Sequence, residues 1–254
     1  MRKIMILVSL FTLSGSPAWA ADLTVDEVRQ ALAAATPGKP ADFSGKSLER
    51  LDLSNLDLSG ANFANANMHA VKLDGARLRG ANLSGAILNL AWVMRADFTD
   101  ANLSGASFQG PVVAPGLEIS MAHAPVFTRA NFSGARIIAR FSRFDLRGAD
   151  FSGAQMGVDM RNQSMGLMRT DFTGANLEGA NFAGADLGRA LLSWANLRGA
   201  NFRGAKLHMA NFVGADLGGA DLTDADATGA TFEKAKLEGA IGLKTVKGLK
   251  IEPQ

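Results

Sequence analysis

The side chains able to do chemistry in this chain are few and scattered. It has three histidines, His69, His123 and His208, and no cysteine. His69 and His208 fall in separate blocks, and neither has a second metal ligand at a useful spacing. No Gly-x-Ser-x-Gly elbow, phosphate-binding glycine loop or cysteine nucleophile is present. One soft-ligand cluster occurs: Met156, Met160, Met165 and Met168 lie close together, and Met121 stands two places before His123. Exported methionine-rich segments bind Cu(I) through their thioethers. Methionine also fills irregular parts of a core, and Met156 falls on an inward position, so core filling is the first expectation. No catalytic residue, metal or cofactor is assigned.

Whatever positions these groups is dominated by a repeat. In residues 170–240 alanine recurs every five residues, fourteen times from Ala175 to Ala240. A second series keeps the same step from Phe172 to Leu237, and 13 of its 14 members are Leu or Phe, with Ala227 the exception. Five residues turn a helix by about 500°, which leaves no stripe. On a flat strand an odd period alternates faces. All these side chains point inward only if the backbone turns a corner in every unit. Gly two places after the Leu/Phe centre suits that corner, because it tolerates positive φ. Asn or Asp just before the centre bonds to nearby backbone and favours a turn. Such units wind into a coil, and coils stack at about 4.8 Å through strand-like hydrogen bonds.

The pattern Ala-(Asn/Asp)-Leu-x-x, over about residues 41–241, resembles the pentapeptide-repeat family. The resemblance implies an all-β fold: a right-handed quadrilateral parallel β-helix, four pentapeptides to a coil. Residues 20 apart then stack, as in the columns Leu177, Leu197, Leu217, Leu237 and Phe172, Leu192, Phe212, Phe232. The span from Phe43 to Leu237 implies about ten coils and a rod about 45 Å long. Some members of the family protect DNA gyrase as rods that resemble DNA in shape and negative charge. Topoisomerase protection is therefore a further reading to weigh.

Residues 1–20 read as a secretory signal peptide: Arg2 and Lys3, an apolar stretch from Ile4 to Leu13, then Ala18-Trp19-Ala20 with cleavage after Ala20. The apolar stretch is too short to span a bilayer, and no transmembrane segment is expected. Periplasmic or secreted localisation follows. The whole chain carries +2. Losing Arg2 and Lys3 leaves 24 basic and 24 acidic groups, so a neutral mature chain has no claim on nucleic acid and makes a poor DNA mimic. Residues 21–40 are expected to form a capping helix and linker. Thr24 and Glu27 make a capping box, Leu23 and Val28 a hydrophobic staple, and Val28, Ala31, Leu32 and Ala35 an apolar stripe. Residues 41–241 form the repeat, and 242–254 a C-terminal cap and basic tail.

Over about residues 109–166 the register slips. The steps are 19 (Phe108 to Phe127), 4 (Ile137 to Phe141) and 11 (Met156 to Leu167). Phe108 to Leu167 falls one residue short of three coils, which favours irregular coils over large insertions. Residues 109–126, with Pro111, Pro115 and Pro125, are either an irregular coil or an external loop. Two groups of apolar side chains occupy outward positions: Ile87, Leu90, Trp92 and Met94, then Leu191, Trp194, Met209 and Val213. Their plain explanation is that residues 109–126 fold down on the first group. As interaction patches they point to a non-catalytic exported scaffold that presents a face to a protein or envelope partner. An enzyme or copper binder using 109–166 is the alternative. Glu178 and Arg198, 20 apart, are expected to pair across coils.

Overall fold

The computed structural model describes residues 21–114, 120–157 and 169–250. Helix α1, Val25–Ala33, starts at Thr24, whose side chain accepts from the Glu27 N–H. The Thr24 N–H donates in return to Glu27 Oε2 at 2.7 Å, so the capping box is complete. Val28 is fully buried, and Leu23, Val25, Ala31, Leu32 and Ala35 pack against the same core. Asp22 fixes the helix to the first coil: its N–H donates to Ser47 O, and its carboxylate accepts from the Ser47 N–H, both at 2.8 Å. The helix thus covers apolar side chains that an open coil end would leave in water.

Beyond it the chain is a β-helix. Parallel bridges join residues 20 apart in four rows, beginning Asp42 to Asn62, Ser47 to Asn67, Asp52 to Lys72 and Asp57 to Arg77. The Leu or Phe after each bridged residue points into the core, and so does the Ala before it; almost all are fully buried. Phenylalanines stack face to face from coil to coil, with Phe132–Phe151, Phe151–Phe182 and Phe182–Phe202 centroids 5.1, 5.0 and 4.9 Å apart. Turns are held as their residue types require. Asp57 Oδ1 accepts from the Ser59 N–H at 3.1 Å. Where asparagine fills that place its amide also climbs the rod: Asn62 donates to Asp42, and Asn82 to Asn62, at 2.8 and 2.9 Å.

The slipped region departs from the expected count. Asp97, Asn102 and Ser107 bridge to Val126, Asn131 and Arg136, each nine places beyond the regular step. The nine extra residues therefore fall between Val112 and Val126. Here lie the two longest strands, β1 (Ser107–Gln109) and β2 (Arg136–Ile138), paired parallel. The next coil, Asn131 to Asp150, is one residue short of the regular step. The following one, Arg140 to Asp171, is eleven longer, and the excess lies between Gln155 and Asp171. Phe108 therefore stacks through Ile137 and Met156 to Leu187. Leu167, expected to restore the frame, lies outside the described residues. Bridging continues past residue 241, since Asp226 pairs with Lys247.

Candidate functional site

The site is built on the third row of bridges, which carries Asp52, Lys72, Trp92 and Val112, then Arg140, Asp171, Leu191 and Asn211. The corner entering this row holds Leu90 and Met209, and the corner leaving it holds Trp194. Both irregular segments join the rod beside it, one after Val112 and the other before Asp171. The two apolar groups, far apart in the chain, therefore share one side of the molecule. From Trp92 to Leu191 is four coil steps, about 19 Å.

Within the first group, Trp92 is 41% exposed and Leu90 49%, while Ile87 is exposed in the neighbouring second row. Met94 departs from its expected outward position and is 8% exposed. The returning chain closes that corner: the Arg95 N–H donates to His123 O at 2.9 Å, from a short 3-10 turn at Met121–His123. The rest of the patch stays open. In the second group Trp194 is 63% exposed, Met209 is exposed, and Leu191 and Val213 are half-buried. Lys72 Nζ stands 6.0 Å from the Trp92 ring and also pairs with Asp52 at 3.5 Å.

One feature of these residues is not legible in the repeat pattern alone. Leu90, Trp194 and Met209 have φ of 59°, 60° and 54°, the left-handed corner that glycine fills most often and that eleven other non-glycine described residues, Arg50, Asn55 and Lys234 among them, also occupy. A residue with a Cβ costs about 1–2 kcal/mol there. Each leans along the rod over the glycine of the next coil: Leu90 over Gly110, Trp194 over Gly214 and Met209 over Gly229. A Cβ at Gly214 would overlap the indole Cε3 and Cζ3. The bulky residue and the glycine 20 places later are thus a matched pair, visible in the sequence once the corner position is known.

Between the two groups lies a hollow of about 490 Å³ bounded by Gly110, Pro111, Ile138, Arg140, Arg169 and Leu191. Asp171 is on its wall, its carboxylate accepting from Ser142 Oγ at 2.7 Å and from the Thr173 N–H at 2.8 Å. A second hollow, about 840 Å³, lies under α1 against Leu56 and Gly60. Of the methionine cluster, Met156 is buried and Met121 exposed. Met160, Met165 and Met168 lie outside the described residues. His208 Nε2 is 3.3 Å from Asp226 Oδ2, and the buried Nδ1 of His123 has no partner. Among the described residues no three His, Asp or Glu side chains converge as a metal site. Arg198 pairs with Asp216 at 3.5 Å, not with Glu178. It reaches diagonally to the residue before the next coil's centre, as Arg79 does to Asp97 and Arg203 to Asp221.

No helix among the described residues is long and apolar enough to cross a membrane. Two family models match: "Pentapeptide repeats (8 copies)" over residues 41–80, 52–89 and 76–110, and "Pentapeptide repeat region" over 165–241. Curated protein sequences return no match. Among solved structures, HetL, a pentapeptide repeat protein involved in heterocyst differentiation regulation in Nostoc sp. strain PCC 7120, is 26% identical. It covers 86% of this chain and 94% of its own, with a TM-score of 0.34. QnrB1, a plasmid-mediated fluoroquinolone resistance protein, is 19% identical over 78% of this chain and 90% of its own, with a TM-score of 0.40. Rfr23 from the cyanobacterium Cyanothece 51142 is 22% identical over 57% and 86%, with a TM-score of 0.28. The two models together match more than half of the chain, on the same five-residue units that form the bridged rows. The chain belongs to the pentapeptide-repeat family, and its fold is a right-handed β-helix.

Proposed function

We propose that the protein is a non-catalytic exported scaffold, a four-sided rod of about ten coils that binds a protein or cell-envelope partner. The binding side is the third row with Trp92 and Trp194. The observation that carries this is the exposure of Leu90, Trp92, Trp194 and Met209 around one row of bridges. Each is a large apolar side chain left exposed by the fold. Burial in the folded chain does not account for large apolar side chains there, whereas burial against a partner does. Export rests on the leader pattern of residues 1–20. DNA mimicry finds less support, because acidic side chains along the rod are neutralised by neighbours, as in Asp57–Arg77 and Asp100–Arg129.

The test is crosslinking capture from the periplasm with the wild type and a Leu90→Gly, Trp194→Gly double variant. The variant is expected to keep or raise its melting temperature and to lose the captured partner. Equal capture by both proteins would sink the reading, as would recovery of the chain from the cytosol with residues 1–20 intact.

A further inference from the structure

The arginines are not distributed evenly with respect to their counter-charges. Among the described residues nine have a carboxylate within 4 Å, Arg95, Arg129 and Arg147 of the middle coils among them. Four have no acidic partner: Arg136, Arg143, Arg169 and Arg189. All four belong to the central coils around the third row. Arg136 is in β2 on the adjoining row, and Arg143 is at the corner leaving the third row, its stem along Gly174. Arg169 borders the hollow between the apolar groups, and Arg189 stands at the corner just before Leu191. The one acid of the third row there, Asp171, is taken up by Ser142 and Thr173. Among the described residues the central part of the third row therefore carries more guanidinium groups than carboxylates.

We propose that this side binds an acidic, extended segment of a partner protein. Its carboxylates are met by Arg143, Arg169 and Arg189, and its apolar residues lie on Trp92 and Leu90 at one end and on Leu191 and Trp194 at the other. This deepens the scaffold reading and rests on it. Geometry sets the shape of the ligand. The backbone amides of the rows are engaged in coil-to-coil bridges, so the partner cannot add as a strand and is read by side chains. The span of about 19 Å between the anchors matches an extended stretch of about six residues. Guanidiniums take carboxylates in paired, directional hydrogen bonds, and the hollow of about 490 Å³ admits one side chain among them. A nucleic acid would also meet the arginines. It would leave the exposed Leu90 and Met209 without apolar partners.

A random-peptide display library selected on the mature protein tests this. Counter-selection uses an Arg143→Glu, Arg169→Glu, Arg189→Glu variant, with the corresponding triple Gln variant as a second control should the first fail to fold. Selected peptides are expected to carry Asp or Glu between large apolar residues. They should bind about tenfold or more weaker to either triple variant at unchanged melting temperature, and weaken steeply with added salt. Enrichment of neutral or basic peptides, no enrichment, or equal binding to the variants overturns the proposal. So does a single-stranded oligonucleotide that displaces the peptides and binds more tightly than they do. If Trp194→Gly abolishes partner capture while the triple variants retain it, the scaffold reading stands and this one falls.

Discussion

At the scale of single residues, Trp194 and Gly214 are the pair on which most depends. Trp194 holds φ +60° and Gly214 φ +67°, and the indole lies where a Cβ at 214 would go. Gly214→Ala therefore meets both backbone strain and a clash. Gly219→Ala, with φ +69° and nothing near its would-be Cβ, meets only the strain, about 1 kcal/mol. We expect Gly214→Ala to destabilise by about 1 kcal/mol more than Gly219→Ala. Adding Trp194→Gly should recover that excess, a coupling readable in a double-mutant cycle by chemical denaturation. Additive effects would show that the indole is free to swing away, and the tight pairing would be withdrawn.

At the scale of elements, the cap and the coils are held by local contacts. Helix α1 hangs on a short, local motif, and Thr24→Ala removes its N-terminal acceptor at a cost of about 1 kcal/mol. In a repeat rod each coil touches only its neighbours. Amide exchange should therefore quicken at Leu48 and Leu53 in the first coils and stay unchanged at Leu197 and Leu217; uniform quickening along the rod would contradict this. The same locality explains what is legible in the sequence. The capping box, the five-residue period and the inward Leu/Phe series are each set by residues within a few places of one another. Coil lengths are not. Nine extra residues, one missing and eleven extra come to nearly one full coil, so spacing alone does not separate a loop from a coil. That ambiguity also hides the site, because placing Trp92 and Leu191 on one side requires knowing that, among the described residues, Asp171 is the next bridged one after Gln155. Met94 departs from its expected place at a corner where the Arg95 N–H meets His123 O, a contact no local rule encodes.

At the scale of the whole molecule, the rod has no cysteine and so no disulfide staple, and its stability rests on stacked apolar columns and on turns closed by carboxylates. Those carboxylates share one electrostatic bias. Asp57 is held down to about 2, first by its hydrogen bond from Arg77 and then by those from Ser59. Asp226 is lowered further by Lys247 and Thr228, and Asp100 and Asp145 are lowered by Arg129 and Arg147. In each case the folded state favours the ionised form. A depressed folded pKa means that the stabilisation is complete above the unfolded value, about 3.9. It is lost as pH falls toward the folded one, here about 2 for Asp57. Each pair is exposed and individually weak, but the motif recurs along the rod, so the losses fall in the same window. The melting temperature should therefore hold level above about pH 5 and drop between about pH 4 and pH 2. Asp57→Asn keeps an acceptor for the Ser59 N–H but removes the titrating charge, so its melting temperature should start lower and fall less over that window. A wild type that melts at the same temperature at pH 2 as at pH 6 would show that apolar stacking alone holds the coils, with the aspartates shaping turns but adding nothing measurable to their stability.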